Sequence, residues 1–90
     1  MKKTHPMKNP DIVARTEKEE ALLFSPADGN LLCINKTGIL VWDLCDGKNT
    51  ADDIAGKIAD TFEVESEVAK KDSLEYLEKL KESGFIGFKA

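Results

Sequence analysis

A chain of 90 residues forms one domain and buries only about 60–65% of its unfolded surface, enough for one modest core and no deep enclosed active site. Lys and Arg number 13 against 17 Asp and Glu, a net charge of -4 with a pI near 5.0, which argues against a binder of phosphate backbones. Apolar residues at 41% and charged residues at 33% describe a soluble globular domain, and no apolar run approaches the roughly 18 residues that span a bilayer. A cytoplasmic protein is expected.

Residues 1–11 contain Pro6, Pro10 and little that could be buried, so a flexible amino-terminal arm is expected, with the folded domain over residues 12–88. The arm has the lysines of a signal peptide but no apolar segment behind them. Its His5 is expected to be solvated. Ile12–Arg15 reads as a short strand, residues 16–20 as a polar hairpin connection, and Ala21–Ser25 as a second strand with Leu22 and Phe24 on one face and Leu23 on the other. Pro26-Ala27-Asp28-Gly29 is a turn: proline presets a negative φ and glycine accepts a positive one. Leu31–Ile34 is then a third strand, giving a three-stranded antiparallel meander.

Asn35 caps a helix over Lys36–Cys45 that Asp46-Gly47 ends. It is apolar nearly all round and carries the only Trp, so it should lie at the centre of the domain. Thr50 caps the next helix, with Asp53 completing an approximate capping box, and Ala51, Ile54, Ala55, Ile58, Ala59 and Phe62 form one apolar face. A third helix runs from about Ser66 to Ser83, where Gly84 stops it. Leu74, Leu77 and Leu80 mark its core-facing stripe, extended by Ala69, with Val68 and Tyr76 beside it. Phe85–Phe88 is an apolar tail that packs under the domain or forms a short strand. The fold class is α+β: a three-stranded antiparallel sheet followed by three helices, winged helix-turn-helix-like.

Catalytic chemistry finds no purchase here. One histidine lies in the arm, the six glycines form no phosphate loop, and no serine has the context of an activated nucleophile. The third helix mixes Glu67, Asp72, Glu75, Glu78 and Glu82 with Lys70, Lys71, Lys79 and Lys81, the pattern of a solvated ion-paired face. Cys33 and Cys45 sit in apolar runs without CxxC spacing and read as buried reduced thiols. No enzyme, cofactor or metal site is expected.

One stretch departs from a plain structural reading. A sheet with helices on one face should alternate apolar and polar residues, yet Leu31-Leu32-Cys33-Ile34 does not. Either the arm or the Phe85–Phe88 tail covers the second face, or a partner does. As the last strand of a meander it also has an edge to which an extended peptide could pair.

The run from Ile34-Asn35-Lys36-Thr37-Gly38 through Trp42 to Leu44-Cys45-Asp46-Gly47, followed by Thr50 opening a helix, resembles the PqqD family. Val68, Asp72, Tyr76-Leu77, Leu80 and Gly84-Phe85-Ile86 fall where that family's third-helix pattern places them, so the resemblance covers about residues 12–88. It implies the stand-alone form of a leader-recognition domain from pathways that make ribosomally synthesised, modified peptides, of the pyrroloquinoline quinone type or related. Such a domain captures the leader of a precursor peptide by strand addition and presents it to a radical S-adenosylmethionine enzyme.

Carried to this chain, the strand wall of the groove would be Leu31, Leu32, Cys33 and Ile34, and the helix wall Val68, Asp72, Glu75, Tyr76 and Lys79. A core residue with its hydroxyl at the surface is the competing reading of Tyr76, and a solvated carboxylate that of Asp72. Two other functions compete: a winged-helix nucleic-acid-binding regulator, and a homodimer in which two third strands pair across a two-fold. The regulator needs a basic helix, whereas in residues 51–60 only Lys57 opposes Asp52, Asp53 and Asp60.

Overall fold

The computed structural model describes residues 5–89. Five strands and three helices follow one another as β1 (His5–Lys8), β2 (Val13–Glu17), β3 (Glu20–Phe24), β4 (Leu31–Ile34), α1 (Lys36–Leu44), α2 (Ala51–Phe62), α3 (Ser66–Glu82) and β5 (Ile86–Lys89). β2, β3 and β4 form the expected antiparallel meander. Its first hairpin is tighter than the polarity of residues 16–20 suggested, because the ladder continues to the Glu17–Glu20 pair and leaves Lys18 and Glu19 as the loop. The second turn closes with the Gly29 amide donating to the Ser25 carbonyl at 2.7 Å.

Local chemistry sets the helix boundaries. The Asn35 side chain accepts from the Gly38 amide at 3.0 Å and starts α1. At α2 the capping box is complete: the Thr50 amide donates to Asp53 at 2.9 Å, and the Asp53 amide donates to the Thr50 hydroxyl at 3.1 Å. Those bonds, with a smaller contribution from His5, hold the Asp53 carboxyl below its ordinary range. α3 ends where Gly84 turns left-handed at φ 76, which lets the Phe85 amide reach back to the Leu80 carbonyl at 2.8 Å and drops the Phe85 ring into the core.

α1 lies at the centre, touching α2, α3, β3 and β4. Val41, Trp42 and the following Cys45 are buried with Leu23, Ile34, Ile54, Ile58, Leu77, Leu80 and Phe85 around them. The face of α3 differs from expectation. Its buried residues are Ala69, Ser73, Leu77 and Leu80, while Leu74 is 42% exposed. Successive steps of three residues slip about 60° around a helix, so Leu74, Leu77 and Leu80 cannot all face the core. Ser73 takes the inward place because its hydroxyl is satisfied by the Ala69 carbonyl at 2.7 Å and its small volume lets the helices close.

The largest departure is at the amino terminus. His5–Lys8, expected within a flexible arm, is a strand with partners on both sides; residues 1–4 lie outside the described residues. β1 pairs antiparallel with β5, His5 opposite Lys89, and on its other side meets the segment after α1. There the Lys8 amide donates to the Cys45 carbonyl and the Gly47 amide to the Pro6 carbonyl, each at 2.9 Å. Pro6 is buried, and the Lys8 ammonium stands 5.4 Å over the Trp42 ring. Composition could not show this, because every backbone hydrogen-bond partner of β1 lies at least 37 residues away in sequence (8 to 45).

Gly38 marks a close approach. A Cβ there would lie 2.7 Å from the Ile34 Cβ and 2.7 Å from the Tyr76 ring. Gly38→Ala is therefore expected to cost about 1–3 kcal/mol in overpacking, outweighing the roughly 1 kcal/mol that alanine gains over glycine in a helix. Urea unfolding measures the difference; an unchanged or raised midpoint would mean that Tyr76 moves aside freely.

Candidate functional site

β4 pairs with β3 through Ala21–Ile34, Leu22–Cys33, Leu23–Leu32 and Phe24–Leu31. Among the described residues its other edge is unpaired, since the strand that could have filled it, β5, pairs with β1 instead. The register sends Leu23 and Ile34 into the core and Leu22, Leu31 and Cys33 outward. Leu31 is 61% exposed, so neither the amino-terminal strand nor the tail covers it. Cys33, expected to be buried, is exposed; Cys45 is buried as expected, and both thiols are free. The shortest dimension of the molecule is 17 Å, room for the sheet and one layer of helices.

α3 is tied to the residues that flank β4 at both ends. The Asn30 side-chain amide donates to the Ser83 carbonyl at 3.3 Å, and the Tyr76 hydroxyl donates to the Asn35 side-chain oxygen at 2.5 Å. These bonds make α3 antiparallel to β4 and set Tyr76–Ser83 alongside Leu31–Ile34. The Asn35 oxygen thus serves twice, capping α1 and anchoring Tyr76. Burial, opposed by the hydrogen bond with Asn35 and helped by the neighbouring Asp72 carboxylate, pushes the Tyr76 phenol above its ordinary value.

The residues expected to wall a groove divide accordingly. Tyr76 is half-buried against Gly38 and Ile34, and the Lys79 ammonium stands 5.9 Å from its ring. Asp72 is half-buried one helical turn earlier; Val68 and Glu75 are exposed. With a rise of about 1.5 Å per residue, Asp72 and Val68 lie some 6 and 12 Å beyond Tyr76, past the end of β4. Leu32 is half-buried, and Ile34 at 2% exposure is a core residue that offers the edge only its backbone. Asn30, Asn35 and Gly38, which fix the spacing of strand and helix, were not among the sequence-derived site residues. A glycine in the first turn of a helix was the available signal for the last of them. Among the described residues no group of three or more His, Cys, Asp or Glu gathers as a metal site would need.

Residues 20–86 match the family model described as Coenzyme PQQ synthesis protein D (PqqD). No curated protein matches. Among solved structures, TbiB1 in complex with the TbiA(beta) leader peptide is similar over 89% of this chain and 93% of its own, at 16% identity and a TM-score of 0.76. Lasso peptide synthetase B1 complexed with the leader peptide is similar over 92% and 98% respectively, at 22% identity and a TM-score of 0.77. At such identities the likeness is one of fold.

The two cysteines supply a direct check on this geometry. Cys45 is fully buried, its thiol bonded to the Val41 carbonyl at 3.1 Å and pushed up to about 12 by burial. In the native protein a thiol reagent should label Cys33 and spare Cys45 until unfolding. Above about pH 9 an unfolded Cys45 ionises while the folded one keeps its proton, so stability should fall as pH rises from 9.0 to about 12. The slope is up to about 1.4 kcal/mol per pH unit. Cys45→Ala should flatten that part of the profile; an unchanged slope would assign it to other groups.

Proposed function

The chain belongs to the PqqD family, and from that premise we propose that it is a non-catalytic peptide-binding protein. It captures the leader of a ribosomal precursor peptide as an added strand on β4 and presents it, in the cytoplasm, to a radical S-adenosylmethionine enzyme. The observation that carries this reading is the unpaired edge of β4, a strand whose flanking residues Asn30 and Asn35 are both bonded to α3. The fold neighbours that are complexes with leader peptides support it, and no helix of the described residues is long and apolar enough to cross a membrane.

The energetics say which residues must contribute. A strand laid along four residues of β4 gains a few backbone hydrogen bonds, each worth only about 0.5–1.5 kcal/mol net of water. Ordering the peptide costs about 1–2 kcal/mol per residue. Backbone pairing therefore holds the leader in place without making it bind; side chains must supply the surplus. Leu31, Leu32 and Cys33 line the strand side, Ile34 contributes backbone alone, and Tyr76 and Lys79 form the nearest part of the helix wall. Asp72, Glu75 and Val68 would meet residues of the leader that run on past the end of β4. Charges of both signs, Asp72 and Lys79, fix register more than affinity. The regulator alternative gains nothing from α2, whose first turn carries Asp52 and Asp53.

The test is a titration of isotope-labelled protein with synthetic leader segments of candidate ribosomal precursor peptides. Amide shifts are expected along Leu31–Ile34 and Tyr76–Ser83; shifts confined to α2 would overturn the proposal. Tyr76→Phe removes the bond to Asn35 and should weaken the leader several-fold, while lowering folding stability by about 1 kcal/mol. Equal leader affinity in this variant would make Tyr76 a packing residue only.

A further inference from the structure

The side of the β2-β3-β4 sheet that faces away from the helices is apolar. Leu22 stands opposite Cys33, Phe24 opposite Leu31, and Val13 opposite Phe24. Leu31, Val13 and Leu22 are 61%, 53% and 41% exposed. In an antiparallel sheet with one solvated face these positions are ordinarily polar. Charge enters on β2, where Arg15 lies opposite Leu22, and at the hairpin, where Glu17 lies opposite Glu20; the β3 and β4 members of the first two rows are apolar. The patch therefore runs from β2 across β3 and ends at the unpaired edge of β4.

Side chains of a strand added at that edge alternate between the two faces of the sheet. One set meets Tyr76 and Lys79; the other falls beside Leu31 and Cys33 and extends the apolar patch by one row. We infer that this outer face is a second contact surface for the captured segment, selecting β-branched or aromatic side chains at two positions two residues apart. The inference rests on strand addition to β4 and deepens it. Backbone pairing is blind to sequence, and the charges of α3 set register. Cross-strand pairs with Leu31 and Cys33 are what tell one extended peptide from another.

The size of the patch favours an extended peptide over a second copy of the chain. Three strands of about four residues cover roughly 14 by 14 Å, near a quarter of the roughly 800 Å² that each partner gives to a standard interface. A peptide strand needs only the row next to the edge, and the patch is continuous with that edge.

A random decapeptide library selected against the wild-type protein, and in parallel against the Leu31→Thr/Cys33→Thr variant, tests the inference. Both positions are exposed and threonine suits strands, so the variant should fold, which thermal unfolding checks. Wild-type selection should enrich peptides with apolar residues at i and i+2 around a polar one, and the variant should lose that preference. The best wild-type peptide should bind the variant roughly three- to tenfold more weakly, with its amide shifts still on β4. Enriched peptides that bind β4 without this spacing, or bind both proteins equally, would overturn the inference and leave strand addition standing. Enriched peptides that bind away from β4 would sink strand addition itself. A free protein that sediments as a dimer with contacts at Leu22 and Leu31 would assign the face to a second copy and overturn the inference as well.

Discussion

The side-chain oxygen of Asn35 holds the site together by accepting two hydrogen bonds from different parts of the chain. From the Gly38 amide it starts α1 directly after β4, with no loop between strand and helix. From the Tyr76 hydroxyl it draws α3 against the same junction, and the bare Gly38 backbone allows the ring to come that near. An acceptor with two lone pairs is thereby fully used. Remove it and α1 loses its cap, while the position of α3 relative to the strand edge is left to apolar packing, which has no preferred direction.

The second constraint is the diversion of the carboxy-terminal strand. A short apolar strand at the end of a small α+β chain has two places to go: the open edge of the meander, or elsewhere. Here β1 takes it, and the run Cys45-Asp46-Gly47 receives β1 on its other side. The Cys45–Gly47 segment, part of the run that carries the family resemblance, thus pairs with β1 on the side away from β5. The Asp46 carboxylate spends itself on its own loop, accepting from the Lys48 amide at 2.8 Å and from the Asn49 side chain. That bond to the Lys48 amide is the main reason why it titrates below the ordinary carboxylate range.

The features legible in the sequence were those decided within a few residues. Leu31–Ile34, the Asn35 cap, the Thr50–Asp53 box and the Gly84 stop each depend on neighbours three or four positions away, and each stands where its residues indicate. The family was legible for a similar reason, since its pattern lies in the same contiguous segment. What escaped depends on distant partners. The β1–β5 ladder joins positions more than 75 residues apart (8 to 86), and nothing in a lysine- and proline-bearing stretch announces it. Ser73 faces inward and Leu74 outward because volume and a local hydroxyl bond outweigh hydrophobicity at a tight helix contact. Cys33 and Cys45 look alike in composition, and only the register of β4 against β3 separates them. The apolar character of Leu31–Ile34 was visible, but whether anything covered it required knowing where the tail went.

Pairing His5 with Lys89 brings the two ends of the described chain side by side, on the small sheet and away from β4. A unit whose ends meet in this way can be set into a surface loop of a larger polypeptide without prising its own layers apart. The unpaired edge of β4 would then stay open, so the architecture suits tethering to another protein as well as it suits free diffusion.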